Sequence, residues 1–346
     1  MKILAIETSC DETAAAIVED GTKIIANTIS SSSNLHEKTG GIIPEIAARE
    51  QLKCIIPVIK ETMNFNQHLD NKITMDNIDA IAITIGPGLI GSLLVGVETA
   101  KTIAYVTKKP IIPVNHIFAH IYANWLNIEK IPVFPAIALV VSGGHTELFL
   151  MKDHNQLKWL GGTRDDAAGE AFDKTARLLG LGYPGGPAIA AAAKYQISNI
   201  KYQIKLPRPM IEEDNLEFSF SGLKTAIMRE INRLKMAGQL NNLIIQQLAH
   251  EVQESITDVL VDKTLKAAKR HNVKSILLGG GVAANQRLKE KFQLSIINYQ
   301  LSISLNIPPP AFCTDNAAYI ASYAYFHNQP VLWRKIQAKP NLEVEV

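Results

Sequence analysis

The sequence predicts an α/β fold made of two related lobes. Apolar, strand-like runs alternate with helical patterns, and each half contains a strand followed by a glycine turn and a helix, at residues 81–101 and 275–292. Prolines interrupt the helical pattern near residues 128–135, because proline cannot continue a helix. We therefore expect an N-terminal lobe over residues 1–130 and a C-terminal lobe over residues 131–346, with a ligand cleft between them.

The predicted strands are short apolar runs bounded by polar residues or glycine. They cover residues 3–7, 14–18, 23–28, 81–85 and 111–114 in the first half, and residues 137–141, 146–151 and 275–278 in the second. The uncharged stretch 80–97 is long enough to imitate a membrane span. A Gly-Pro-Gly turn in its middle favours strand, turn and helix instead, so we expect no membrane association.

Composition excludes a polycation and a disulfide-rich secreted domain. The 346 residues include 35 basic and 33 acidic ones, which leaves room for a local basic surface but not for a basic tail. Three widely spaced cysteines, Cys10, Cys54 and Cys313, form no Cys-x-x-Cys pair and favour a reducing compartment. The N-terminus has no apolar segment typical of an export signal, so we expect a cytoplasmic protein.

Two histidines, His116 and His120, stand four residues apart where a strand-like run gives way to a helical one. This spacing puts both rings on one helix face, where they either share a metal ion or are simply two surface histidines. Ile117 occupies the position where zinc peptidases of this spacing carry a glutamate, which excludes that class. Either Thr314 or Asp315 caps the helix that starts near them, or Asp315 serves instead as a third ligand.

Several loops have the composition of a nucleotide site, although each also fits an ordinary turn. Residues 7–13 combine acids and hydroxyls that suit a phosphate or Mg²⁺ contact. The glycines of residues 142–145 allow backbone N–H groups to approach an anion. An acidic helical pattern over residues 166–174 leads into a glycine–proline turn at 183–187. Two G-x-G-x-x-G-like turns lack the acid about 20 residues on that a dinucleotide fold needs, and no P-loop motif occurs.

Taken together, these motifs closely resemble the tRNA adenosine threonylcarbamoyltransferase family, once labelled O-sialoglycoprotein endopeptidases. The segments that carry the resemblance span nearly the whole chain and are residues 7–13, 116–120, 140–146, 166–174, 183–187, 218–224, 279–285 and 313–316. The resemblance implies an actin/Hsp70/sugar-kinase-like fold with a nucleotide in the cleft between the lobes. The tail after Gln329 lacks the proline- and arginine-rich ending of many bacterial relatives, so the contacts that this ending makes in relatives are not carried over to this chain.

The same resemblance implies a reaction and the residues that serve it. The threonylcarbamoyl group would pass from threonylcarbamoyl-AMP to the N6 amine of adenosine 37, in tRNAs that read codons beginning with A. Asp11 and Glu12 are our candidates for proton removal from that amine. The metal, usually iron with zinc as an alternative, would lie on His116, His120 and Asp315. The adenylate part would lie on Val140, Val141, Ser142, Gly143, Gly144, Asp173, Gly186 and Asn285.

Two further expectations concern partners and the main alternative. Besides tRNA, the resemblance implies a paralogous partner subunit and an associated ATPase. The alternative in another functional class is a nucleotide-regulated scaffold of the same fold that performs no catalysis, because fold alone does not decide function.

Overall fold

The computed structural model of the protein describes residues 1–37, 41–65, 73–194 and 204–344. Its strands are β1 (Lys2–Glu7), β2 (Glu12–Glu19), β3 (Lys23–Ser31), β4 (Ala80–Gly86), β5 (Ile111–Asn115), β6 (Ala136–Val141), β7 (Thr146–Asp153), β8 (Gln156–Gly162), β9 (Ser275–Gly279) and β10 (Ser304–Asn306). Its helices are α1 (Ser33–Glu37), α2 (Pro44–Asn64), α3 (Ile90–Thr107), α4 (His116–Ile121), α5 (Ala168–Leu178), α6 (Gly185–Ala193), α7 (Ser221–Met236), α8 (Asn242–Arg270), α9 (Gln286–Asn298), α10 (Pro310–Cys313) and α11 (Ala317–His327). All eight predicted strands are confirmed, and β8 and β10 are additional.

The predicted duplication is confirmed by the topology of the two sheets. The first has the strand order β3-β2-β1-β4-β5 and the second the order β10-β9-β6-β7-β8. In the first sheet β1 pairs antiparallel with β2 and parallel with β4. In the second, β6 pairs in the same way with β7 and β9. Read from opposite edges, the two sheets have the same order and the same strand directions, as expected of related lobes.

The first sheet is covered by helices on both faces, which explains why its strands are almost entirely apolar. Along β1, Ile3 and Ala5 belong to a core cluster that includes much of α11. Ile6 belongs to a second cluster with residues of α2 and α3, among them Ile55 and Val97. Successive side chains of a strand point to opposite faces, so one short strand contributes to both cores.

The chain divides into two compact units that differ from the expected lobes 1–130 and 131–346. One unit contains residues 1–132 together with 308–346, and the other contains residues 133–307. The C-terminal segment belongs to the first unit because α11 packs on β1 and β2. Its tail also bonds to that unit: Val331 N donates to Ile111 O at 2.9 Å, and Lys339 N donates to Ile85 O at 2.6 Å.

Among the helices of the described ranges, none combines the length and the apolar character needed to span a bilayer. The uncharged stretch 80–97 forms β4 and the first turns of α3. The prediction of strand, turn and helix for this stretch is therefore confirmed.

In the second unit an ion-pair cluster joins α8 to α9. Glu254 accepts from Arg287 Nε at 2.7 Å and Nη2 at 3.0 Å, and it pairs with Lys291 Nζ at 2.9 Å. Burial alone would raise the pKa of Glu254, but the hydrogen bonds and charges of Arg287 and Lys291 outweigh burial and lower it to about 2. The cluster therefore favours the ionised carboxylate in the folded protein.

This depressed pKa predicts a definite pH dependence of stability. The Glu254 contribution is fully present above its unfolded pKa of 4.5 and is lost as the pH falls through about 2. We expect Glu254→Gln to lower the free energy of unfolding by up to about 3 kcal/mol at pH 7, with the difference closing towards pH 2. Urea unfolding across that range measures it. Glu290→Gln, which removes a more distant partner of Arg287 at 3.5 Å, is the control, and an equal loss there would contradict the assignment.

Candidate functional site

The histidine pair is placed by the junction of β5 and α4. Asn115 ends β5, and its side chain caps α4 by accepting from Ile117 N at 2.9 Å and Phe118 N at 3.4 Å. An asparagine at this position is a strong helix start signal. His116 and His120 follow on the same helix face, both buried, with their Nε2 atoms 3.2 Å apart. The interpretation as two surface histidines is therefore wrong.

Asp315 reaches the same point from the turn before α11. Its Oδ1 atom lies 3.6 Å from His116 Nε2 and 3.4 Å from His120 Nε2. The cap of α11 is the neighbouring residue Asn316, whose side chain accepts from Ala318 N and Tyr319 N. The alternative role of Asp315 as a helix cap is therefore wrong, and its carboxylate faces the two imidazoles.

The three side chains have the geometry and the chemistry of a metal site. Their three donor atoms lie within 4.8 Å of one another. Ligand atoms bound about 2.1 Å from one tetrahedral ion lie about 3.4 Å from each other, close to the separations of 3.2, 3.4 and 3.6 Å found here. Two imidazoles and one carboxylate form a donor set that leaves coordination positions open. We therefore conclude that the residues fit a divalent ion.

The electrostatics of the cluster favour a shared cation. Burial opposes protonation of His116, yet the carboxylates of Asp315 and Glu7 outweigh burial and raise its pKa to about 9. The pKa of His120 is lowered, first by burial and then by the charge of His116. Although burial disfavours the ionised form of Asp315, the two histidines lower its pKa below the usual range. A metal ion in this position would replace the proton held by His116.

Glu7 belongs to the acidic segment 7–13 noted in the sequence, but its contact with the histidine pair was not predicted. It is fully buried at the end of β1, and its Oε2 lies 3.1 Å from His116 Nδ1. The same oxygen accepts from Thr84 Oγ1 at 2.6 Å, while Oε1 accepts from Ser9 N at 2.5 Å. β1, β4 and β5 are adjacent parallel strands. The contact therefore arises where their carboxyl ends meet, which a linear motif search does not reveal.

The acidic turn between β1 and β2 belongs to the same unit and is held by buried polar side chains. Ser32 donates to Asp11 O through its N at 3.2 Å and its Oγ at 3.0 Å. Gln51 of α2 donates through Nε2 to Cys10 O at 2.9 Å and to Glu12 O at 3.0 Å. Burial first, and then the charges of Asp315 and Asp11, raise the pKa of Glu12 well above its usual value. Glu12 is therefore close enough to Asp315 for the charge of that carboxylate to affect it.

In the second unit the predicted substrate segment 140–144 ends β6 and turns into β7. Ser142 N donates to His145 O at 2.9 Å, so the turn is a hairpin, and the glycines Gly143 and Gly144 face open space. The backbone at two other glycines, Gly169 and Gly280, packs closely against the end of β6 and this turn. A Cβ at Gly169 would lie 2.4 Å from Ser142 O, and a Cβ at Gly280 would lie 2.3 Å from Val141 O.

The other predicted substrate residues lie at or beside the first turns of helices α6 and α9. Asp173 Oδ1 on α5 accepts from Gly185 N at 2.6 Å, which brings it to Gly186 in the first turn of α6. Burial raises the pKa of Asp173. Asn285 accepts from Leu288 N at 3.1 Å as the cap of α9, and its Nδ2 donates to Gln253 Oε1 at 3.2 Å. Gly169 and Gly280 both lie against the end of β6, beside the carboxyl end of β9. The carboxyl ends of parallel strands are a usual ligand position in α/β sheets.

Two solved structures resemble this fold. HypF from T. kodakarensis has a TM-score of 0.60 at 13% identity, over 94% of this chain and 48% of that chain. The (R)-2-hydroxyglutaryl-CoA dehydratase component A from Acidaminococcus fermentans has a TM-score of 0.51 at 14% identity, over 94% and 98% of the two chains. Both have the actin/Hsp70/sugar-kinase type of fold, which confirms the predicted fold class. At these identities they show the fold alone.

Closer relatives identify the family. A protein named tRNA N6-adenosine threonylcarbamoyltransferase from Dehalococcoides mccartyi is 50% identical over 326 residues, 94% of this chain and 93% of that protein. A protein of the same name from Syntrophomonas wolfei is 46% identical over 342 residues, 98% and 97% of the two chains. The model of that transferase family matches residues 23–322. The chain therefore belongs to the tRNA N6-adenosine threonylcarbamoyltransferase family.

Proposed function

We propose that the protein transfers the threonylcarbamoyl group from threonylcarbamoyl-AMP to the N6 amine of adenosine 37, in tRNAs that read codons beginning with A. The proposal rests on the triangle of two buried histidines, His116 and His120, and the half-buried Asp315. The charge of Asp315 contributes to the raised pKa of Glu12. The chain also belongs to a transferase family. We also propose that the reaction takes place in the cytoplasm, because its reducing environment suits the three free cysteines.

The reaction is an acyl transfer. The N6 nitrogen forms a bond to the carbamoyl carbon, the bond from that carbon to the phosphate oxygen breaks, and AMP leaves while the nitrogen loses a proton. We propose that Glu12 or Asp11 accepts this proton, and the raised pKa of Glu12 supports it because a carboxylate of higher pKa is a stronger base. Single-turnover transfer by Glu12→Gln and Asp11→Ala tests each assignment, because a variant that keeps the parental rate excludes its residue.

His116, His120 and Asp315 would hold the metal, for which we propose Fe²⁺, with Zn²⁺ as an alternative that the same donor set accepts. A divalent ion bound there would supply Lewis-acid polarisation of an acyl oxygen. The adenylate would contact the backbone of Val140, Val141, Ser142, Gly143 and Gly144, together with Asp173, Gly186 and Asn285. The open glycines of the 142–145 hairpin support an approach of backbone N–H groups to phosphate.

The decisive experiment supplies purified protein with threonylcarbamoyl-AMP, Fe²⁺ or Zn²⁺ and an unmodified tRNA transcript. We expect threonylcarbamoyladenosine in the nuclease-digested product, measured by mass spectrometry, and none from a transcript with guanosine at position 37. Parallel reactions include a paralogous subunit and an ATPase as proposed partners. If the modified nucleoside is missing under all these conditions, the transferase proposal fails and the scaffold alternative replaces it.

A further inference from the structure

We propose that Glu7 is a positioning residue for the metal site. Glu7 fixes the tautomer of His116, so that Nε2 presents a lone pair to the ion. The inference rests on the metal site proposed above. It assigns a role to a buried carboxylate that belongs neither to the proposed metal ligands nor to the proposed adenylate residues.

The geometry is that of a carboxylate–histidine–metal arrangement. A neutral histidine can bind an ion through one ring nitrogen while the other carries a proton, and the partner of that proton decides which nitrogen is which. In His116, Nε2 faces His120 and Asp315, whereas Nδ1 lies 3.1 Å from Glu7 Oε2. Glu7 accepts a hydrogen bond from Nδ1–H, so Nδ1 keeps the single proton of the neutral ring and Nε2 stays unprotonated.

Glu7 is held in place from both sides, which makes it an effective orienting group. Its Oε1 accepts from the backbone N–H of Ser9, and its Oε2 accepts from the Thr84 hydroxyl. The carboxylate and Thr84 are fully buried, so water does not compete for these bonds. Within the described residues, Nδ1 of His120 has no hydrogen-bond partner. Glu7 therefore gives His116 an orienting carboxylate that His120 lacks there.

Glu7→Gln separates the positioning role from a packing role, because the amide has nearly the same shape. The Ser9 N–H cannot reorient, so it selects the amide oxygen of Gln and turns the amide NH₂ towards His116. Two donors then face each other unless Nδ1 gives up its proton and Nε2 takes one. In that tautomer Nε2 no longer binds an ion.

Ser9 and Thr84 provide the matched controls. Thr84→Val removes the second bond to the same Glu7 oxygen without reversing its polarity, so the His116 tautomer is preserved. Ser9→Ala removes the other group near Nδ1, the hydroxyl at 3.3 Å. Both substitutions are small, and both leave the Glu7 charge in place.

The test measures Zn²⁺ affinity of the full-length protein by competition with a chromophoric chelator, with circular dichroism to verify folding. We expect Glu7→Gln to weaken Zn²⁺ binding about 10- to 100-fold, and both controls to stay close to the parental affinity. In ¹⁵N NMR spectra of the zinc-loaded parental protein, we expect a signal from the proton on Nδ1 of His116. If Glu7→Gln does not fold, Glu7→Asp, which keeps the charge but shortens its reach, should weaken binding instead.

The outcomes separate this inference from the function on which it rests. Parental Zn²⁺ affinity in folded Glu7→Gln, or an equal loss in Ser9→Ala, overturns the positioning role of Glu7 alone. Parental affinity in His116→Ala overturns the proposed metal site itself.

Discussion

Asp315→Ala is expected to lose its bound metal and to slow threonylcarbamoyl transfer by more than about a hundredfold. Removing a residue that merely supports a ligand commonly costs 10- to 100-fold in metal affinity or activity, so removing a direct ligand should cost more. Asp315 contributes the carboxylate of the set, at 3.4 and 3.6 Å from the two imidazole nitrogens. Metal content after dialysis against Fe²⁺ or Zn²⁺, together with the transfer rate, provides the measurement.

The control for this experiment is Asp76→Ala, which removes an exposed carboxylate from the same unit. It should leave metal content and rate unchanged. If Asp315 only capped the helix, Asp315→Ala would lower the free energy of unfolding by about 1 kcal/mol and would keep its metal. Such a result would contradict the ligand assignment.

The second large effect is expected from Gly169→Ala. The added Cβ would lie 2.4 Å from Ser142 O and 2.8 Å from Gly143 Cα, so the hairpin that we propose to hold the adenylate must move. Misplacement by about 1 Å can reduce catalysis by about a hundredfold. We expect a loss of this size in kcat/KM for threonylcarbamoyl-AMP, with the larger part in KM because substrate binding is affected.

A matched glycine distinguishes this steric effect from helix propensity. Gly222 also lies in a helix, α7, and an added Cβ there has no atom within 4 Å. Gly222→Ala should therefore keep kcat/KM and be unchanged or slightly more stable, by up to about 1 kcal/mol. If Gly169→Ala shows parental kinetics, the hairpin 142–145 is not the adenylate site.

Apolar patterns and residue spacings predicted most strands and the histidine pair, because such patterns depend on burial and geometry within a single strand or helix. The β1 strand is readable because both its faces are buried, and the His116/His120 spacing is readable because helix geometry fixes it. β8 escaped prediction since its first five residues are partly or fully exposed, which weakens the apolar signal. β10 has three residues, too few to show a period.

Contacts between distant segments were not predictable in the same way. Both aspartate and asparagine are good helix caps, so the sequence cannot rank Asp315 against Asn316. The turn before α11 decides it, because it directs Asn316 to the helix N–H groups and Asp315 to the histidines. Glu7 reaches His116 because β1, β4 and β5 are neighbours in the sheet. Resemblance to a family predicted the three proposed metal ligands, whereas the contact of Glu7 with His116 is visible only in the folded chain.

The insertion of residues 133–307 into the first unit has a consequence for synthesis on the ribosome. The second unit is a continuous segment and is complete once residue 307 has been made, whereas the first still lacks α11 and the tail. Until then the face of the first sheet that carries Ile3 and Ala5 lacks α11, and the two histidines lack the carboxylate of Asp315. Because domains generally fold as units during translation, the later-encoded unit is able to fold first. The proposed metal ligands are therefore all present only once the chain has been made as far as Asp315.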